Sequence, residues 1–333
     1  MRISDQLITK VNIPDFHPKI RYPDAMFMAG SCFAEHISGK LDRYKYKVVS
    51  NPFGILYNPV SLARSIDRIS NLTDYNSDEL VLHDGLYHSM DHHGSFSGKD
   101  KQAVTEKINK AMESAHQQLK KCAVAFISPG TASAYRYKET NSIAGNNHKI
   151  PQTAFSSEQL SVQECVDAFE KIYAAIERLS PEARIIWTLS PVRHLKDGLI
   201  ENQRSKATLL LAIDEVTRTL PETTYFPAYE IMMDELRDYR YYERDLIHPS
   251  LLAIDIIWDL FSNAYLDPKD RQYHPQIEKI QRATEHRFLH DDREAIRSFA
   301  AGQLRQIDEL AAILPDLFWQ RERQYFFQYL ELD

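Results

Sequence analysis

Between residues 24 and 50 the period of apolar positions changes twice. Met26-Phe27-Met28-Ala29 is an apolar run of strand length, and after Gly30-Ser31 the residues Phe33, Ile37 and Leu41 recur every four positions while Glu35, Lys40 and Asp42 fall elsewhere. That is a strand over 24–29, a tight turn and a helix. The same alternation continues along the chain. Further strands are predicted at 46–50, 122–127, 183–189 and 223–227, and helices at 60–69, 103–121, 161–179, 202–220 and 251–265. Three stretches lack either period. Residues 1–22, with Pro14 and Pro18, read as an extended lead-in over the surface; 73–98 read as irregular or short hairpins; 135–155 read as a polar excursion.

Strands alternating with helices predict an α/β protein whose five-stranded parallel sheet is covered on both faces, a three-layer α/β/α sandwich of flavodoxin-like kind. Right-handed crossovers then put every strand end on one edge, where ligands of open sheets bind. The unusual residue clusters all follow strands: Ser31, Gly54, Gly130, Arg193 and, after a loop, Asp245 with His248. Beyond Asp267-Pro268 the composition shifts to helices rich in Arg, Gln and Glu. Ile296, Phe299, Leu304, Ile307, Leu310 and Leu314 keep to one side there. We therefore divide the chain into 1–265 and a C-terminal helical extension, 266–333, which either packs on the core or forms a homo-oligomer.

Composition narrows the function. A net charge of −7 gives no electrostatic case for nucleic acid or an anionic membrane surface. The N-terminus opens with charge and lacks an apolar signal region, and no later run approaches the ~20 apolar residues of a membrane span. Cys32, Cys122 and Cys165 have neither metal spacing nor disulfide pairing, so a cytoplasmic location is expected.

Serine in a strand–turn–helix junction has its hydroxyl at the sheet edge and its own N–H at a helix N-terminus, where negative charge is favoured. Ser31 is therefore read either as a nucleophile or as an ordinary helix N-cap. Its hydroxyl would need a base and an orienting group, and Asp245 three residues before His248 can place a carboxylate beside one ring nitrogen. A rival chemistry is a metal held among His83, Asp84, His88, Asp91, His92 and His93, although Gly85, Gly94 and Gly98 argue for a loop there.

Gly30-Ser31-Cys32-Phe33-Ala34 resembles the five residues after which the GSCFA family is named, a branch that looks like the SGNH (GDSL-type) hydrolases. Asn51-Pro52-Phe53-Gly54-Ile55-Leu56-Tyr57-Asn58-Pro59, Gly130-Thr131-Ala132, Ser190-Pro191-Val192-Arg193-His194 and Asp245-Leu246-Ile247-His248-Pro249-Ser250 extend the match. The resemblance implies an SGNH-like fold and a serine esterase without cofactor or metal. In it Ser31 is the nucleophile, His248 the base and Asp245 its orienting partner. The oxyanion would be held by Ser31, Gly54 and, in place of the usual asparagine, Thr131, with Asn58, Asn146 or Asn147 as substitutes. Asn58, His148, Arg193 and His194 would contact substrate, an O-acyl (acetyl) ester of a carbohydrate or polar metabolite. Phe53, Leu56 and Tyr57 are expected to line a pocket for a short acyl chain. Alternatives are an O-acyltransferase with the same triad and a non-catalytic carbohydrate-binding module. Outside that set, Arg193 reads equally well as a loop brace against Asp238 or Glu243, and Lys206 as helix surface.

Overall fold

The computed structural model describes residues 9–196, 198–288 and 292–331. The chain enters with β1 (Ala25–Gly30), α1 (Cys32–Arg43), β2 (Lys47–Ser50) and α2 (Pro59–Asn71), the last capped by the Asn58 side chain with Pro59 at its first turn. A hairpin, β3 (Val81–His83) and β4 (Leu86–His88), precedes α3 (Lys101–Leu119) and β5 (Cys122–Ser128). Next come β6 (Ser133–Tyr137), β7 (Ser142–Ala144), β8 (Phe155–Gln159) and α4 (Val162–Leu179). The sheet resumes with β9 (Arg184–Trp187), α5 (Leu199–Thr219) and β10 (Thr223–Tyr225). Helices close the chain: α6 (Ala228–Glu230), α7 (Leu251–Tyr265), α8 (Pro268–Arg271), α9 (His274–Thr284), α10 (Arg293–Ile313) and α11 (Gln320–Leu330).

The central sheet runs β2-β1-β5-β9-β10 with all pairs parallel, the doubly wound order 2-1-3-4-5 in sheet numbering. Its strands are buried on both faces, which is why they read as unbroken apolar runs. On β1, Phe27 and Ala29 join Ala125, Ile127, Ile185 and Trp187 in a core covered by α2, α3, α4 and α5. The alternate residues Met26 and Met28 join Val124, Phe126 and Ile186 in a second core, covered by α1, α7 and the C-terminal helices. The three-layer sandwich expected from the alternation is what forms.

Two stretches differ from expectation. The polar excursion builds a second sheet, antiparallel, in the order β7-β6-β8. Its strands alternate weakly; in β8, Phe155-Ser156-Ser157-Glu158-Gln159, only Phe155 is buried. The lead-in is only partly a surface segment: residues 1–8 lie outside the described residues, whereas Phe16, Ile20 and Tyr22 are buried in the second core.

The boundary at 265/266 falls inside one apolar cluster. Ile277, Ile280, Leu304, Ile307 and Phe326 share it with Phe33, Ile37, Ile257 and Phe261. Polar ties cross the same seam: Arg43 reaches Glu278 at 2.7 Å, Lys45 pairs with the buried Glu322, and the Tyr44 ring stacks on His274 at 4.2 Å. A chain ending at residue 266 is therefore expected to lose cooperative unfolding and to bind a dye for exposed apolar surface; a sharp thermal transition in that truncation would show that the extension folds separately.

Candidate active site

At the switch point, where β1 and β5 send their connections to opposite faces, the strand ends are tied together. Gly30 has φ +138°, and a Cβ there would stand 2.1 Å from the Ser128 carbonyl oxygen, so no other residue fits. Its N–H donates to Asn51 Oδ1 at 2.8 Å. Ser31 N–H donates to the Ser128 carbonyl at 2.8 Å, and the two serine hydroxyls are 3.1 Å apart. Ser31 Oγ also accepts from Phe33 N–H at 3.3 Å, which makes it the N-cap of α1. The residue is fully buried, and no hydrogen bond joins it to His248 among the described residues. Of the two readings of Ser31, the cap is what this geometry displays, with the hydroxyl engaged by Phe33 N–H and Ser128.

The next side chain is different. Cys32 opens α1 and is partly exposed. Burial pushes its thiol up and Glu35 adds to this, while the N–H groups of Cys32 and Phe33 and the Lys206 ammonium pull it down. A cysteine at a helix N-terminus is a position where a thiolate can be stabilised. His36, one turn further along the same helix face, feels the charge of His248, as does His194. His248 thus lies in the neighbourhood of His36 and His194.

Asp245 and His248 form the expected pair. Oδ2 accepts from Nδ1 at 2.7 Å, and Oδ1 accepts from the N–H groups of Ile247 and His248 at 2.9 and 3.0 Å. These bonds hold the carboxyl down to about 2, the ring contact first among them. With Nδ1–H donated to the carboxylate, the neutral ring presents Nε2 as an acceptor, a tautomer assigned from this bond. The turn costs strain: Leu246 sits at φ +59°. Arg193 fixes the loop from the β9 side. Its guanidinium lies over the Tyr242 ring at 4.3 Å and donates to the Tyr242 hydroxyl at 2.8 Å and the Leu246 carbonyl at 3.4 Å. It is a brace, as one reading had it, but with Tyr242 and Leu246 in place of Asp238 or Glu243.

None of the backbone donors expected for an oxyanion is free. Ser31 N–H is held by Ser128, Gly54 N–H by the Asn51 carbonyl at 2.7 Å, and Thr131 N–H by the Tyr57 carbonyl at 3.2 Å. The space beside the Gly54 Cα is filled by His93. Cys32 N–H, in the first turn of α1, has no partner among the described residues and remains the available donor.

Lys206 is not helix surface. It is 2% exposed, and Nζ donates to the Gly130 carbonyl at 2.7 Å and the Ser190 carbonyl at 2.6 Å, stitching the segments after β5 and β9. Burial without a carboxylate partner brings it down to about 7. Beside it, His194 is lowered to about 3 by burial, then by Lys206 and His248, and its Nε2 is buried without a partner.

The remaining expected contacts separate into three groups. Asn58, Thr131 and His194 line a cavity of about 230 Å³ together with Tyr57, Tyr135 and Lys196. Phe53 and Leu56 are core residues instead. His148 belongs to a histidine-rich interior: its Nε2 meets the Ser89 carbonyl at 2.7 Å and its ring packs, tilted, on His88 at 4.6 Å. His88 is engaged by Ser97 at 2.7 Å and by the His83 carbonyl at 3.2 Å, and His92 by Ser89 at 2.8 Å. Asp91 is taken by Arg64 and Tyr75. Among the described residues no three His, Cys, Asp or Glu side chains converge as a cation-ligand set.

These imidazoles make an acid-labile interior. Burial lowers His92 to about 3 and His148 to about 4. Unfolded, each titrates near 6.5, so between about pH 6.5 and 4 the unfolded chain binds protons that the folded one refuses. Stability is complete above that window and lost as pH falls, by about 1.4 kcal/mol per pH unit for each proton. His92 packs on Phe53 at 4.1 Å and Tyr75 at 4.8 Å, so His92→Phe keeps the apolar contacts. Urea midpoints at pH 7 and 4 should differ less in His92→Phe than in the wild type; equal differences would contradict the neutral buried ring.

Among curated proteins no sequence matches the chain. Family models do: that of the GSCFA family covers residues 25–261, from β1 to α7, and that of the GSCFA domain protein, C-terminal domain, covers residues 277–332. With the first model alone spanning well over half of its length and containing Cys32, Asp245 and His248, the chain belongs to the GSCFA family.

Proposed function

We propose that the protein transfers acyl groups, cleaving an O-acyl ester of a polar metabolite through Cys32, His248 and Asp245 in an SGNH-like arrangement. The observation that carries this reading is the pairing of His248 with Asp245 at 2.7 Å, in a chain whose α1 opens on a partly exposed Cys32 directly after the sealed Ser31. The SGNH likeness is part of the proposal and is supported by the strand order and by the Asp-x-x-His segment following the last strand.

The chemistry follows from the parts. A burial-raised thiol is protonated at rest and requires a base at the moment of attack. His248 Nε2 takes the Cys32 proton as Sγ bonds to the acyl carbon; Asp245 steadies the imidazolium. The tetrahedral oxyanion forms at the N-terminus of α1 within reach of the Cys32 N–H. It collapses to a thioester as the C–O bond breaks, and the proton on Nε2 passes to the departing alkoxide. Water then gives a proton to Nε2 and its hydroxide attacks the thioester, releasing the acid and returning the thiol.

Steady-state kinetics on a small aryl acetate test this. Cys32→Ala and His248→Ala should each lower kcat/KM by at least about 10³-fold, and Asp245→Asn by less. Ser31→Ala should lose a helix cap and about 1 kcal/mol of stability while keeping turnover within about tenfold. A folded Ser31→Ala without activity, or an active Cys32→Ala, would return the nucleophile to Ser31 or remove it altogether.

A further inference from the structure

The cavity that shares Tyr57 and His194 with the surroundings of Cys32 and His248 has a one-sided chemistry. Its roof is the β6–β7 hairpin with the loop that follows, and its side is the segment 194–196. Among the described residues Lys196 is the one charged side chain lining it, held over the Tyr135 ring at 4.4 Å. No carboxylate among the described residues lies within ion-pair distance of Lys196. Asn146 is oriented by its backbone neighbour: Oδ1 accepts from His148 N–H at 3.0 Å, which turns the Nδ2 donors the other way, without a partner among the described residues.

The positions of these donors are built in. Met90 carbonyl accepts from both Gly145 N–H at 2.7 Å and Asn146 N–H at 3.1 Å, pinning the loop before the asparagines. Asn58 is already committed, capping α2 through Oδ1 at 2.8 Å and donating to the Ala144 carbonyl at 3.4 Å. Thr131 is likewise taken, by Ser205 at 2.9 Å. Lys196 and the Asn146 amide thus bring donors to the cavity beside Asn147, His194, Tyr57 and Tyr135, and no acidic side chain among the described residues lines it. A water occupies about 30 Å³ of liquid, so the cavity of about 230 Å³ has room for a short chain ending in an anionic group.

We propose that this cavity binds an anionic oxygen group of the substrate, a carboxylate or a phosphate, with Lys196 as its counter-ion and Asn146 as a fixed donor. The inference rests on the acyl-transfer reading for its place in the reaction, since it assigns the bound acyl ester a negative charge on the part of the molecule that enters this cavity. Charge-assisted contacts of this kind are stronger than those to a neutral amide, so the site discriminates by charge as well as by shape.

Calorimetric titration of the Cys32→Ala protein reads the site without needing turnover. Succinate and inorganic phosphate are the two anionic probes and succinamide the neutral control. Binding of at least one anion, with succinamide at least tenfold weaker, is expected, and whichever anion binds identifies the group. Lys196→Glu should weaken that anion at least tenfold at an unchanged thermal midpoint, and Asn146→Ala should weaken it less. Equal binding of succinamide, no binding of either anion, or undiminished binding by Lys196→Glu would overturn the inference. Anion binding in a protein lacking Cys32-dependent turnover would leave the cavity assignment standing and remove the acyl-transfer reading; turnover without anion binding would do the reverse.

Discussion

The arrangement depends on how closely β1 and β5 approach at their carboxyl ends. Gly30 has no room for a side chain because the Ser128 carbonyl occupies the place of its Cβ. The bond from Ser31 N–H to that carbonyl then locks the first residue after the strand. Once Ser31 is bolted to Ser128 and turned back to cap α1, the chain has one direction left in which to start the helix. Cys32 is the residue that this geometry delivers to the sheet edge. Parallel sheets place ligands at such a switch point because the two connections diverge there and leave a crevice.

Around that crevice the protein uses cationic side chains as braces between segments that no strand pairing holds. Lys206 joins the ends of β5 and β9 through two carbonyls, and Arg193 joins the segment after β9 to the loop of Asp245 and His248. A buried ammonium without a carboxylate is costly, and satisfying it with backbone carbonyls offsets part of that cost while keeping two loops in register. The strain of Leu246 at φ +59° is sustained by the same bracing, and its effect is to aim the Asp245 carboxylate at the His248 ring. Lys196, which lines the neighbouring cavity, hangs from the same post-β9 segment.

Much of this was legible in the chain. The parallel sheet could be read because strands buried on both faces leave continuous apolar runs, and the Asp245–His248 pair because a three-residue spacing before proline suits a turn. The cap role of Ser31, one of its two readings, has a physical reason that the sequence also carries. The residue directly after a strand and before an amphipathic helix is the N-cap, whose side chain folds back onto the first turn, so the residue following it is the one presented outward. Lys206 could have been found too: Asn202, Ser205, Lys206, Leu209, Ile213 and Val216 fall on one helical face, and a lysine inside that stripe is a buried lysine. Nothing in the local pattern could reveal that the backbone N–H groups of Gly54 and Thr131 are consumed by carbonyls of Asn51 and Tyr57, because those bonds arise from loop conformation. The antiparallel sheet β7-β6-β8 escaped because its strands bury little and alternate weakly.

The central claim is that an acyl group resides for a time on Cys32. Mass spectrometry of the protein quenched in acid during turnover of an aryl acetate, followed by peptide fragmentation, locates that group directly. The expected result is an acetyl adduct on Cys32 that neutral hydroxylamine removes, as it does thioesters, and that is missing from Cys32→Ala. An adduct on Ser31 that resists neutral hydroxylamine, or a wild-type enzyme that turns over without any adduct at residue 32, would contradict it.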